Sequence, residues 1–466
     1  MGFMAYGGPA MMGFIKREIV FKHRLLSEED FNEGIALVNV IPGATNSQMI
    51  AYTGYKLKKS RGAFIAFTAF VIPAFLEMLF FTVVYKTTGN LGMFMQIFNS
   101  LAAVVTAIIL NTVVMFGSKI IKEWRLDILA LITIALLFFK FNVIFILLIV
   151  VGLTFLLFFI NKRFWPFAAS ENINNKKLHK DGSQEKDRNI RVGAEKDISE
   201  GRGISSGVKS NNHNYCSENV NNINLSGNNC DYRSETGENI KLPVNNPAQK
   251  KYHKLKIKIN PESFFKTYMF FFISVFLVVA ALAAGFFLKK DLFLAGLTLT
   301  KASILGFGGA IPMLTIIQYD MVNVLKIFSQ KQIVDALVLG QITPGPIMIT
   351  STFIGYYIYG FIGALLCTVV AFYPSFAIFS LVAPKYESVK NNKYVKLVVK
   401  GIMGMFVGML LFFLYSVGKE AIKGYISAII ALLSFIAIRL KVREIYVIAA
   451  AAIIGVVLYF FNIKIV

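Results

Sequence analysis

Residues 341–374 read QITPGPIMITSTFIGYYIYGFIGALLCTVVAFYP. The run is apolar and uncharged, yet Thr343-Pro344-Gly345-Pro346 breaks it. Proline inside a helix removes a backbone donor and clashes with the preceding turn, so the helix must stop and restart. In hydrocarbon such a break is tolerated only where it faces protein or a water-filled cavity. A binding site is the first reading; a kink made for packing is the competing one.

An echo lies at residues 40–75, VIPGATNSQMIAYTGYKLKKSRGAFIAFTAFVIPAF. Gly54-Tyr55 aligns with Gly355-Tyr356, Gly62-Ala63 with Gly363-Ala364, Pro73 with Pro374 and Phe75 with Phe376, all at one offset. Gly7-Gly8 matches Gly308-Gly309, and Pro42-Gly43 matches Pro344-Gly345 with one residue of slack. Ungapped matches of this kind mark a duplicated module. The second module has a full apolar segment, 292–307, before its Gly-Gly, and the first has almost none. The native chain is therefore expected either to start upstream of Met1 or to lack most of its first span.

Hydrophobic residues make up 56% of the chain and charged residues 16%, with a mean hydropathy of +0.62. That is far from a soluble domain. Runs long enough to cross ~30 Å of hydrocarbon recur at 64–85, 91–116, 264–288 and 395–417. The chain reads as an all-α polytopic transmembrane protein. A net charge of +22 suits nucleic acid in a soluble protein. Here no basic amphipathic array carries interleaved aromatics, so no nucleic-acid partner is expected. The basic residues gather instead in short loops and one linker, as topology signals and contacts to an anionic leaflet do.

Four regions follow: a first module at 1–165, a polar linker at 166–262, an extra span at 263–290 and a second module at 291–466. The linker is too poor in apolar residues to offset its ordering entropy and reads as disordered. It carries His213, Cys216 and Cys230, whose spacing fits no standard zinc pattern. With Cys367 they make three scattered cysteines and no disulfide framework. No metal and no cofactor is expected.

One extra span between two six-segment modules turns the second upside down, giving thirteen segments. Loop charges test this. Lys56, Lys58, Lys59 and Arg61 follow Gly54-Tyr55, while the matching loop after Gly355-Tyr356 has no basic residue. Lys86 alone follows the Pro73 segment; Lys385, Lys390, Lys393 and Lys396 follow the Pro374 segment. Lys140 alone is matched by Arg439, Lys441 and Arg443. With the linker cytoplasmic, all these clusters fall inside. Lys289-Lys290, Lys419, Lys423 and the mixed 16–30 loop run against the rule, and the balance favours inversion.

Inverted repeats with interrupted helices are a secondary-transporter architecture, with substrate held near the midplane. A helix restarting after Pro-Gly offers free N–H groups and a positive dipole end, which suit an anion. Thr45, Asn46, Ser47 and Gln48 follow the first break, and Thr350, Ser351 and Thr352 the second. Such neutral donors hold an oxyanion without a pair tight enough to slow release. Thr343 reads as an N-cap, and Gln341 lies just before the break. The two Gly-Gly pairs permit close backbone approach or, equally, small-residue helix packing. Lys301 is a cation inside a span, there to balance substrate charge or to snorkel. Glu77 is the carboxylate deepest in a span, a proton carrier or a structural hydrogen-bonding group. Asp335 and Glu33 lie near segment ends and read as solvated or capping. All four histidines fall outside the spans, and no catalytic constellation is present, so an enzyme is not expected. Ser27-Glu-Glu-Asp30 reads as a capping box opening a helix.

These motifs resemble the chromate ion transporter family in its long, two-module form. The match is carried by Tyr6-Gly7-Gly8-Pro9, Phe307-Gly308-Gly309-Ala310, Ala36-Leu37 leading to Ile41-Pro42-Gly43, and Ala336-Leu337 leading to Gly340-Gln341-Ile342-Thr343-Pro344-Gly345-Pro346-Ile347. The Gly-Tyr…Gly-Ala…Pro-Ser-Phe run ending at Phe376 completes it. The resemblance implies an anion transporter of the cytoplasmic membrane that exports chromate, in exchange with or coupled to sulfate or protons. The expected partners are an oxyanion, the lipid bilayer and a second copy of the chain in a homodimer. One departure is Pro42-Gly43-Ala44, where the second module has Pro-Gly-Pro. Transport of sulfate or an organic acid, an anion channel and a lipid-handling protein are the competing readings.

Overall fold

The computed structural model describes residues 10–88, 91–120, 123–159, 230–233, 239–242, 261–385, 392–463 and 465. The chain divides into two units, Met1–Asn161 with Pro261–Val466, and Lys162–Asn260. The described residues of the second unit form one hairpin. In it β1 (Cys230–Arg233) pairs antiparallel with β2 (Asn239–Leu242), Cys230 opposite Leu242. His213, Cys216 and most of the stretch expected to be disordered lie outside the described residues.

Among the described residues the first unit holds fourteen α-helices. The first copy comprises α1 (Ala10–Lys16), α2 (Glu28–Val40), α3 (Thr45–Thr88), α4 (Gly92–Ile120), α5 (Trp124–Phe138) and α6 (Val143–Phe159). The extra helix is α7 (Pro261–Leu288). The second copy comprises α8 (Lys290–Leu305), α9 (Ala310–Gln318), α10 (Gln330–Ile342), α11 (Thr350–Val382), α12 (Lys393–Ala421), α13 (Tyr425–Arg439) and α14 (Glu444–Phe460). Among the described residues five helices are long and apolar enough to cross a membrane: Thr45–Thr88, Gly92–Ser118, Tyr268–Leu288, Ile347–Val382 and Tyr394–Ala421.

The duplication reaches the backbone. Both α1 and α9 run on into π-helices, Arg17–Lys22 and Tyr319–Val324. Ser27 accepts the Asp30 N–H at the start of α2, and Ser329 accepts that of Gln332 at the start of α10. Gly43 and Gly345 share a φ of 125° and 123°.

The longest helices of each copy, α3 and α11, are in fact hairpins of a short and a long arm. Helical geometry fails at Lys58 and Lys59, and again at Tyr359 and Gly360, and there the chain folds back. A methyl on Gly54 would stand 2.2 Å from the Gly62 carbonyl oxygen, and one on Gly355 would stand 2.1 Å from that of Gly363. Glycine alone admits that approach. Gly355→Ala is therefore expected to abolish the monodisperse fraction in detergent. Gly152→Ala, whose methyl would meet open space, is expected to leave it intact.

The long arms set the relation between copies. Phe64 meets Phe376, Phe67 meets Phe372 and Phe75 meets Phe361, and the hydroxyls of Thr68 and Tyr373 are hydrogen-bonded at 3.1 Å. Numbers rise along one arm as they fall along the other, so equivalent arms run antiparallel. Copies whose equivalent membrane helices oppose each other are inverted, as the loop charges require. The closing hairpins are exchanged: α5 and α6 pack on α12, while α13 and α14 pack on α4. A methyl on Gly401 of α12 would strike Thr154 of α6, and at the equivalent place one on Gly455 of α14 would strike Ser100 of α4. Small residues let these helices approach closely.

Candidate functional site

Three breaks carry the site. Pro344 ends α10, and Thr343 is its extended C-cap, with both its N–H and its Oγ1 donating to the Leu339 carbonyl. Thr343 thus closes the preceding helix and does not open the next one; a residue before proline is pushed out of helical geometry. After Pro346 the chain restarts as the 3-10 turn Ile347–Ile349 and then α11. In the first copy it restarts at Thr45, after Pro42-Gly43. The third break separates α8 from α9, with Gly308 and Gly309 at φ of 82° and 114°. Their counterparts Gly7 and Gly8 lie outside the described residues.

Each proline break meets the other copy. Gly43 donates its N–H to the Gly306 carbonyl at 2.8 Å. A methyl on Gly43 would lie 2.3 Å from Ser375 Cβ, and one on Gly309 would touch Thr45 Oγ1 at 3.4 Å. Gly345 packs on Ala74, the residue equivalent to Ser375, and Thr343 Oγ1 touches Met78 Sδ at 3.4 Å. Pro42, Gly43, Thr45, Asn46, Gln48, Gly308 and Gly309 therefore form one cluster. Gln341, Thr343, Pro344, Gly345, Pro346 and Thr350 form a second. Because Phe67 opposes Phe372 and Phe376, Ser375 and Ala74 stand about eight residues apart along the arm, ~12 Å at 1.5 Å per residue. The first break thus meets the second copy's long arm at Ser375, and the second break meets the first copy's long arm at Ala74.

The polar groups at the two breaks are unevenly used. Gln48 Nε2 donates to the Pro42 carbonyl at 2.6 Å and holds the turn. Asn46 Nδ2 rests on Met11 Sδ at 2.9 Å, and Thr350 Oγ1 donates to the Ile347 carbonyl at 2.7 Å. Four atoms have no protein partner: Ser47 Oγ and Gln48 Oε1 at the first break, Gln341 Oε1 and Ser351 Oγ at the second. All four residues are buried. An unmet buried polar group costs about 1–3 kcal/mol, so four of them at paired breaks need an explanation. A bound solute or water supplies one.

The charged residues arrange themselves differently from expectation. Lys301 is ion-paired with Asp320, on the π-helix after α9, and both side chains are largely buried. It is therefore not a free cation at either break; in low dielectric an ammonium takes the nearest carboxylate. In the first copy Glu18 stands where Asp320 does, and the Lys22 amine beside it holds its carboxyl below the usual range. Asp335, read as solvated or capping, is buried and accepts from Tyr85 Oη at 2.6 Å and Lys331 Nζ at 2.9 Å. Its counterpart Glu33 accepts from Tyr52 Oη at 2.9 Å and Lys56 Nζ at 2.8 Å. A carboxylate at that depth needs such partners. Glu77 lies on the long arm between Ala74 and Met78, which touch the second break, and its Oε2 is buried without a partner. Asp320, Gly306, Ser303 and Ser375 escape the sequence reading, the last two joined by Ser375 N–H donating to Ser303 Oγ at 3.1 Å. Ser375 was nonetheless visible, directly after Pro374.

A family model described as chromate transporter matches residues 1–156 and 291–456. An uncharacterised transporter of Methanocaldococcus jannaschii is 26% identical over 88% of this chain and 80% of its own length. A probable chromate transport protein of Synechococcus elongatus is 22% identical over 98% and 93%. A chromate transport protein of Cupriavidus metallidurans is 22% identical over 98% and 91%. No solved structure matches. The family match covers both inverted copies with their facing breaks and passes over the linker, and so the chain belongs to the chromate transporter family.

Proposed function

We propose that this protein exports an oxyanion of the chromate type across the cytoplasmic membrane by alternating access between its two copies. The observation that carries the reading is the pair of partnerless buried hydroxyls, Ser47 and Ser351, at two equivalent helix breaks. Hydroxyls and first-turn amides there stabilise a tetrahedral anion without a permanent counter-charge. The names of the Synechococcus and Cupriavidus relatives support chromate within that class. Passage past the breaks requires the long arms of α3 and α11 to part, since Gly43 and Gly345 are buried against them. The linker lies on the cytoplasmic side, and two chains associate as a homodimer.

Outward movement of a dianion through 100 mV, inside negative, gains about 4.6 kcal/mol, two charges at about 2.3 each. Export therefore needs no further driving force, and exchange with sulfate or protons sets its regulation. The test is chromate and sulfate flux in proteoliposomes under imposed potential and pH gradient. Outward flux that rises with an inside-negative potential is expected; flux indifferent to both gradients overturns the reading. Glu77 is the proton-linked group in this scheme. Glu77→Gln is expected to remove the response of flux to the pH gradient while keeping its response to potential.

A further inference from the structure

One end of the second copy holds a cavity of about 530 Å³, bounded by the end of α9 and its π-helix, the start of α10, the end of α12 and the turn between α5 and α6. That is an ordinary size for a small-molecule site. Lys140, Lys419 and Lys423 face it. Glu420 is the one carboxylate of the lining, and it already accepts from Lys423 at 2.7 Å. Lys140 and Lys419 thus bring two positive charges that no carboxylate among the described residues neutralises.

The wall between them is built from amides. Gln330 Nε2 donates to the Ser416 carbonyl at 3.2 Å, and Gln318 Nε2 donates to Gln330 Oε1 at 2.8 Å. The chain of donors fixes both orientations and leaves Gln318 Oε1 buried behind the wall. In the first copy the equivalent contact is an ion pair, Lys16 with Glu28. The second copy replaces that pair with two neutral side chains and so keeps an acid out of the wall. Lys140 and Lys419 are exposed at its rim, and a cleft lined by one sign of charge concentrates anions.

We propose that this cavity binds a tetrahedral oxyanion group, phosphate- or sulfate-like, at Lys140 and Lys419. The site stands independently of the transport reading; its use as an antechamber rests on that reading. Nine residues of α9 separate it from Gly309, ~13 Å at 1.5 Å per residue.

The test reads the amines directly, without flux. Full-length protein in zwitterionic nanodiscs is acylated with a succinimidyl ester in sulfate or in chloride of equal ionic strength, and labelling is followed by mass spectrometry. Sulfate is expected to slow labelling of Lys140 and Lys419 at least fivefold and to leave exposed Lys58 unchanged. The double variant Lys140→Gln, Lys419→Gln, with unaltered thermal unfolding, is expected to lose sulfate affinity tenfold by calorimetry. Protection that appears only with anionic lipid assigns the same site to a headgroup phosphate; protection without it assigns a free oxyanion. Equal labelling in sulfate, chloride and anionic lipid overturns the proposal, whatever the transport assay shows.

Discussion

Alanine at Gly345 is expected to abolish transport while folded yield is kept. Gly345 has a φ of +123°, a conformation closed to residues bearing a Cβ, and a methyl there would stand 2.6 Å from Ala74 Cβ. Backbone strain of this kind costs of order 1–3 kcal/mol. The clash adds to it by pushing the long arm of α3 off the break that it must repeatedly meet and leave. Each 1.36 kcal/mol in a barrier is tenfold in rate, so a flux loss well beyond tenfold is expected. Gly43→Ala, with φ +125° and a methyl 2.3 Å from Ser375 Cβ, should behave alike. Monodisperse Gly345→Ala protein with wild-type flux would remove the break from the mechanism.

Removal of Lys301 comes next in size, as a loss of stability. Lys301→Met leaves the Asp320 carboxylate buried without its counter-ion, and breaking such a pair costs about 3–5 kcal/mol. The pairing with Asp320 predicts that Lys301→Met combined with Asp320→Leu recovers most of the loss, since two apolar side chains replace a buried pair at little net cost. Thermal unfolding in detergent reads both. If the single variant were as stable as the wild type, the pair would not be buried together. If the double variant folded and failed to move anion, Lys301 would have a part in transport beyond structure.

Breaks, duplication and inversion were legible because their signals are local. Pro42, Pro344 and their glycines stop a helix wherever it lies, and Lys56 to Arg61 marks a side of the membrane without reference to neighbours. What stayed hidden depends on partners far along the chain. Lys301 and Asp320 belong to different elements, and nothing in either segment announces the other. Ser375 acquires its place at Gly43 only once the two long arms are laid antiparallel. The fold-back in α3 was half visible: Gly54 and Gly62 repeat as Gly355 and Gly363, but the turn falls on Lys59, a residue that rarely takes a φ of 54°. The exchange of the closing hairpins had no signal at all, since apolar helices carry little pairing code beyond small residues such as Gly401 and Gly455.

That exchange bears on how the polypeptide could be divided. With α13 and α14 seated on α4 and α5 and α6 seated on α12, neither half owns a complete interior. A half produced alone would leave a greasy flank meant for its twin and should aggregate or pair with another of its kind. Severed between the halves, the two fragments should reassemble when made together, because the seam holding them is knitted from both sides.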